Sequence, residues 1–340
     1  MPPLVELNEF PAPLLKAEPR DLLKILGGPT LVYLKGRRDP PLFISVLQHG
    51  NEGTGFVAFR ELMRRYQGRE LPRSVFLFIG NVAAAALGMR SLRGGDFNRF
   101  WGGVDHGPGP LLERVRQRVL GHGLFASIDV HNNTGRNPHY ACISRLDARS
   151  RQLASLFSRT TVYFLEPKRA QSVVFSKDVT ALTIECGQSG NPAGTKHALE
   201  FLDACLHIAE LPDRLPGAGA QEIYHTIARV ELGSDCRIAF STDPVEKRNA
   251  ASVVFRGDLD QLNFTEAGKG TVLGEVMDSS GFQWSVRHTS TEVSPRPEPL
   301  LVVEDRKLIL NTELIPSMFT LDASVMRDDC LGYLMVRWQD

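Results

Sequence analysis

The chain has 340 residues, enough for two cores rather than one, and its 39 Lys and Arg balance 39 Asp and Glu. That balance excludes a function built on global charge, whether toward nucleic acid, a polyanion or an acidic membrane surface, so recognition rests on local groups. Five scattered cysteines without a Cys-x-x-Cys pair exclude a disulfide framework and a cysteine zinc site, and they point to a reducing compartment.

Residues 1–30 form a Pro-interrupted opening segment with no basic stretch leading into an apolar core and a small-residue cleavage site. No apolar run reaches membrane-spanning length, so a soluble, cytoplasmic protein is expected. Strands are predicted at 31–34 and 42–47, separated by the turn-rich GRRDPP and either paired as a hairpin or lying apart. The second, LFISVL, has few polar interruptions, as suits a strand buried on both faces of a mostly parallel sheet. It runs straight into His49 and then Glu52, with Gly50 expected to turn the backbone sharply between them. Polar side chains at the carboxyl end of such a strand sit where open α/β sheets form their binding crevice.

Residues 55–66 place Phe56, Phe59, Leu62 and Met63 at helical spacing, with Arg60, Arg64 and Arg65 elsewhere, which predicts an amphipathic helix. A strand at 74–79 ends at Asn81. An alanine-rich stretch then leads into LGMRSLRGGDFNRFW, polar, Gly-broken and bracketed by apolar residues, as a functional loop is. A helix is predicted at 109–120, followed by a strand at 124–130 that ends in Asp129, His131, Asn132 and Asn133. Further strands at 140–144, 161–165 and 179–184 and helices at 148–157 and 195–208 complete an α/β domain with a central sheet over residues 1–210; the last strand ends in Glu185. The Pro, Gly and Ala of LPDRLPGAGAQ mark a linker. Beyond it, short apolar segments at 223–230, 271–276, 300–303, 307–310 and 333–338 predict a smaller, mainly β domain over 221–340.

Three strand ends thus carry His49 with Glu52, His131, and Glu185. Taken singly, each is an ordinary polar loop residue, a buried histidine bonded to backbone, or a surface charge. Together, two imidazoles and one carboxylate form a ligand set for catalytic zinc with a position left open for water. A carboxylate that does not bind metal, as Glu185 would be, can take a proton from that water and return it to a leaving amine.

HGNE, GDFNRFW, IDVHN and TIECG, in this order and at these separations, resemble the succinylglutamate desuccinylase/aspartoacylase family, a branch of the zinc carboxypeptidase superfamily. The resemblance implies a mixed central sheet flanked by helices, zinc carboxypeptidase-like, with a smaller, mainly β C-terminal domain. It implies one zinc ion on His49, Glu52 and His131, and Glu185 as general acid and base. Asn98 and Arg99 match a pair that binds the substrate carboxylate, for which guanidinium offers a planar two-pronged fork. An arginine that stabilises the oxyanion matches Arg90 ahead of Arg93, the other being an ordinary surface charge or a second substrate contact. Asp96 is expected to orient these side chains, since the ligand set is complete without it, and Asn132 lies close enough in sequence to His131 to reach the substrate. The activity implied is metal-dependent hydrolysis of the amide of an N-acyl amino acid or similar small carboxylate-bearing molecule. Two alternatives stand beside it: a zinc metallocarboxypeptidase acting on short peptides or peptidoglycan fragments, and a non-catalytic zinc-containing binding protein. No nucleic-acid or membrane partner is implied.

The departures from the family pattern concern the substrate. Gln171 and Phe175 stand near positions where aspartoacylases place a Tyr and an Arg that read a second carboxylate, with Lys168, Arg169 and Lys177 nearby. There is also no tyrosine between Tyr224 and Tyr333 to serve as a substrate contact from the second domain. A group less acidic than that of N-acetylaspartate or N-succinylglutamate is expected.

Overall fold

The computed structural model describes residues 3–92, 95–217, 219–289 and 299–339. Two compact units are present: one comprises residues up to 132 together with 139–222, the other 133–138 together with the chain from 223 onward.

The first unit contains strands β1 (Val5–Leu7), β2 (Thr30–Leu34), β3 (Leu42–Val46), β4 (Val75–Ile79), β5 (Ala126–Asn133), β6 (Tyr140–Ile143), β7 (Thr160–Tyr163) and β8 (Ala181–Gln188). They lie in the order β1-β2-β4-β3-β5-β8-β6-β7. β3 runs parallel to β4 and β5, with Ile44 opposite both Leu77 and Ile128, whereas β2 with β4 and β6 with β8 are antiparallel. The sheet is therefore mixed, and β2 and β3 are not a hairpin, because β4 lies between them.

Its helices are α1 (Leu22–Leu26), α2 (Thr54–Arg65), α3 (Val82–Ala86), α4 (Gly109–Leu120), α5 (Ala148–Phe157), α6 (Gln171–Phe175) and α7 (Pro192–His207). Alternation along each strand sorts side chains onto two faces. Ile44, Val46, Ile128, Val130, Leu182 and Ile184 join one core with α2, α5 and α7. Phe43, Phe76 and Phe78 face the other way, against Leu112, Val115 and Val119 of α4, with Trp101 and Phe175 in the same cluster. The same alternation puts Ser45, Ser127, Asp129, His131, Thr183 and Glu185 on this second face.

The expected fold class holds, and the differences are local. β5 and β8 extend beyond the apolar runs that predicted them, so His131 and Glu185 lie inside strands. The ladder is made by backbone groups, and a polar side chain does not end it. α7 starts earlier than residue 195, because the Asn191 side chain caps it by accepting from the Ala193 N–H at 2.9 Å, with Pro192 in the first turn. The opening segment also contains β1 and α1.

In the second unit, β9 (Glu222–Leu232) is joined by β10 (Ile238–Phe240), β11 (Val253–Phe255), β12 (Val272–Val276), β13 (Trp284–His288), β14 (Leu301–Glu304), β15 (Lys307–Leu310), β16 (Ile315–Ser317) and β17 (Gly332–Arg337). β9 pairs with β13 and β17, and β17 with β16, while β10-β11-β12-β15-β14 form a five-stranded sheet around Phe255, Leu273 and Leu310. Residues 133–138 join this unit at Gly135, where a Cβ would lie 1.8 Å from the Phe319 carbonyl oxygen. Among the described residues no helix is long and apolar enough to cross a membrane.

Candidate metal centre and active site

The centre begins where β3 stops. Leu47, just past the strand, has φ +56, which redirects the backbone so that Gln48, His49 and Glu52 follow in a tight turn. Gly50 is required there by close approach and not by its φ: a Cβ at this position would lie 2.3 Å from the Ala85 nitrogen and 2.4 Å from the Ala84 carbonyl carbon in α3. The Gly50 N–H donates to the Arg90 carbonyl at 2.8 Å and so ties the segment around Arg90 to the turn.

Glu52 is the meeting point. Its Oε1 lies 2.7 Å from Nδ1 of His49 and its Oε2 lies 2.8 Å from Nδ1 of His131, with all three residues buried. Their ligand atoms fall within 4.8 Å of one another. The far nitrogens are held in turn: His49 Nε2 is 3.0 Å from Asp96 Oδ1, and His131 Nε2 is 2.7 Å from Asp129 Oδ2. This arrangement fits a metal of zinc's type, since each ring is oriented by a carboxylate at one nitrogen and turns the other toward a shared point beside a carboxylate oxygen.

The electrostatics follow from packing these charges together. Burial alone would raise the Glu52 carboxyl, but the His49 and His131 imidazoles overcome it and hold it well below its ordinary 4.5. Partial burial would raise Asp96 too, but His49 first and then Arg99 and Arg90 hold it well below 3.8. Burial would lower the His131 imidazole, but Asp129 and Glu52 keep it well above 6.5.

The remaining expected residues gather around this core. Arg90 Nη1 donates to Glu52 Oε1 at 3.2 Å, and its Nη2 lies 3.8 Å from Asp96 Oδ2. Arg93 lies outside the described residues. Asp96 accepts from the Asn98 N–H at 2.9 Å, capping the single turn Phe97–Arg99. The Asn98 amide nitrogen comes within 3.2 Å of His131 Nε2, and its Oδ1 accepts from the Gln171 N–H at 2.8 Å. Arg99 lines a surface pocket with Phe100, Val104, His106 and Arg169. Glu185 is buried on β8, directly opposite Tyr140 of β6, on the face and next to the strand that bear His131.

Other expected residues make contacts within the frame. Asn132 follows His131 by one residue and projects to the other side of β5. Its Oδ1 accepts from the Thr54 N–H and its Nδ2 donates to the Gly187 carbonyl, so its amide braces the site. Gln171 and Phe175 are fully buried, the latter with its ring centroid 5.2 Å from Phe43 and 5.5 Å from Trp101, so they form part of a packed wall. The short helix α6 that seals them in carries no strong periodic signal in five residues. Arg169 is exposed and donates to the Trp101 and Gly102 carbonyls, while Lys168 and Lys177 line an adjoining surface pocket. Asp129, which holds the His131 ring, is the residue whose contact the sequence did not single out. The Asp-x-His spacing carries its signal, because period-two alternation puts both side chains on one face.

The catalytic-domain model of the succinylglutamate desuccinylase/aspartoacylase family matches residues 39–208, half of the chain. Among solved structures, a succinylglutamate desuccinylase/aspartoacylase from Rhodobacter sphaeroides is similar with a TM-score of 0.57 at 17% identity, covering 91% of this chain and 88% of that one. A succinylglutamate desuccinylase from Chromobacterium violaceum gives 0.58 at 13% identity, with 90% and 86% covered. Murine aminoacylase 3 gives 0.52 at 14% identity, with 89% and 97% covered. At such identities these likenesses speak to the fold. No curated protein sequence matches.

Proposed function

The chain belongs to the succinylglutamate desuccinylase/aspartoacylase family, and from that premise we propose that it hydrolyses the amide bond of a small N-acyl amino acid or similar carboxylate-bearing substrate, using one zinc ion held by His49, Glu52 and His131. The observation that carries this reading is the double approach of Glu52 to both imidazoles, with Asp96 and Asp129 behind the rings. Zinc bound there supplies a Lewis acid for the scissile carbonyl and brings a water toward ionisation near neutral pH.

Glu185 takes the proton of the attacking water and delivers it to the departing nitrogen, the work of a carboxylate kept off the metal. Arg90 donates to the oxyanion that develops as the carbonyl becomes tetrahedral. The reach of its guanidinium to Glu52 Oε1 supports this role. Arg99 offers its two-pronged fork to the substrate carboxylate, and Asn98, fixed by the Gln171 N–H, presents its amide beside it. Asp96 spans the two functions, bonded to His49 Nε2 and within 4.0 Å of Arg99 Nη1. Asn132 is left to hold the frame.

Near the positions where aspartoacylases place a Tyr and an Arg this chain has the uncharged Gln171 and Phe175, and the lack of a cation there supports a substrate whose acyl group or side chain bears less charge than a second carboxylate. Hydrolysis of a panel of N-acyl amino acids by purified protein, with and without a chelator, tests the proposal. Turnover of neutral N-acyl amino acids that the chelator abolishes is expected; cleavage of short peptides alone would replace it with a carboxypeptidase.

A further inference from the structure

A connected set of buried polar side chains stands behind the metal centre and takes no part in the steps above. The Trp101 indole N–H donates to Gln48 Oε1 at 2.7 Å, and Gln48 Nε2 donates to Gln171 Oε1 at 2.9 Å and approaches Ser45 Oγ at 3.5 Å. Ser45 Oγ donates to Asp129 Oδ1 at 2.7 Å, and the other Asp129 oxygen holds His131. Gln171 donates through its side chain to Ser127 Oγ at 3.2 Å and through its backbone to Asn98 Oδ1 at 2.8 Å. Gln48, Gln171 and Trp101 are all at most 1% exposed.

Burying two carboxamides in an aromatic core is costly unless every donor and acceptor is placed, and apolar side chains would fill the same volume without that condition. A fully partnered buried network instead fixes one geometry. Leu47 gives independent support. A left-handed φ is strained for a leucine and persists where the surroundings hold it. Its carbonyl accepts from the Asn81 N–H at 2.6 Å, and the next residue is Gln48, anchored at three points.

We infer that Gln48 and Gln171 form a buried clamp that sets the spacing between the metal centre and the carboxylate-binding segment 97–101. Gln48 links Trp101 of that segment to Ser45, hence to Asp129 and His131, and also fixes the turn that presents His49. Gln171 locks Asn98 and Gln48 together. Both are positioning residues. The substrate's amide carbonyl and its carboxylate must span the distance the clamp fixes, so the clamp selects N-acyl α-amino acids over homologues longer by one methylene. This inference rests on the proposed roles of His131, Asn98 and Arg99.

The test uses Gln48→Met and Gln171→Met, which keep length and lose the amide, with Thr161→Val on β7 as a control that removes a half-buried bond donated by Gln221 (2.7 Å). The methionine variants are expected to release zinc to a chelator about tenfold faster than the parent, at the low end of outer-shell effects. They are also expected to raise KM for the best N-acyl α-amino acid roughly tenfold with a smaller change in kcat, and to lose discrimination against the corresponding β-amino acid. The double variant should be little worse than either single one, because the two act as a unit. Thr161→Val should change thermal stability alone. Parental zinc release, KM and discrimination in the methionine variants, whatever their stability, would overturn the clamp. Should a methionine variant not fold, Gln171→Asn, which shortens the amide, carries the same two outcomes. A parent that binds zinc yet hydrolyses no N-acyl amino acid would defeat the proposed function and leave zinc release to decide the clamp.

Discussion

Asp129 Oδ2 lies 2.7 Å from His131 Nε2, while Oδ1 of the same carboxylate accepts the Ser45 hydroxyl at 2.7 Å. The imidazole is thereby fixed in rotation and made a better donor at Nδ1, the nitrogen turned toward Glu52. Asp129→Asn keeps an acceptor and removes the charge. Its zinc affinity, measured by competition with a chromogenic chelator, is expected to fall between about 10- and 100-fold; an unchanged affinity would detach this carboxylate from the metal centre.

In the proposed reaction Glu185 supplies proton transfer and no metal bond. Glu185→Gln is therefore expected to retain one zinc per chain by elemental analysis and to lose roughly 10²- to 10⁴-fold in kcat, the range that general acid-base groups contribute. Parental turnover in this variant would remove Glu185 from the reaction.

Protons and metal compete for His131. In the metal-free protein Asp129 and Glu52 overcome the effect of burial and hold this imidazole well above 6.5, so at pH 7 zinc must displace a proton. Calorimetric titration in buffers of different ionisation enthalpy is expected to show release of about one proton per zinc bound. The sign for stability is fixed as well. His131, raised, contributes stability that is complete below 6.5 and fades as pH rises through its folded value; Glu52, lowered, contributes above 4.5 and fades as pH falls through its folded value. The Tm of the metal-free protein should therefore decline toward alkaline pH, a decline that zinc loading removes. A flat alkaline limb in metal-free protein would contradict the assignment.

Arg99→Lys preserves charge and loses the planar fork. A rise of roughly tenfold in KM for a carboxylate-bearing substrate is expected, with kcat changed less, since a contact made equally in ground and transition states affects binding. Unaltered KM would place the carboxylate elsewhere.

Much of this was legible in the sequence for a physical reason. Buried parallel strands are nearly continuous apolar runs, and LFISVL announces both β3 and the polar turn that follows it. His49, Glu52 and His131 are brought together as their motifs implied. What sequence could not supply was direction and depth. Whether Asn132 faces the substrate depends on the pleat of β5, which extends past its apolar run, and the pleat turns it toward Thr54 and Gly187. Gln171 and Phe175 stand near family positions that read the substrate, and the sequence did not show that α6 buries both completely. Gly50 was read as a turn residue, and its real constraint, the backbone of α3, lies about 35 residues further along the chain and has no local signature.

The most direct measurement is hydrolysis of N-acyl amino acids by one preparation in three states: as purified, stripped of metal, and reloaded with one equivalent of zinc. Activity lost on stripping and regained on reloading is expected, with His49→Ala and His131→Ala failing to regain it because they no longer hold the metal. Hydrolysis that persists in the stripped protein, or full recovery by the histidine variants, would contradict a zinc centre built on His49, Glu52 and His131.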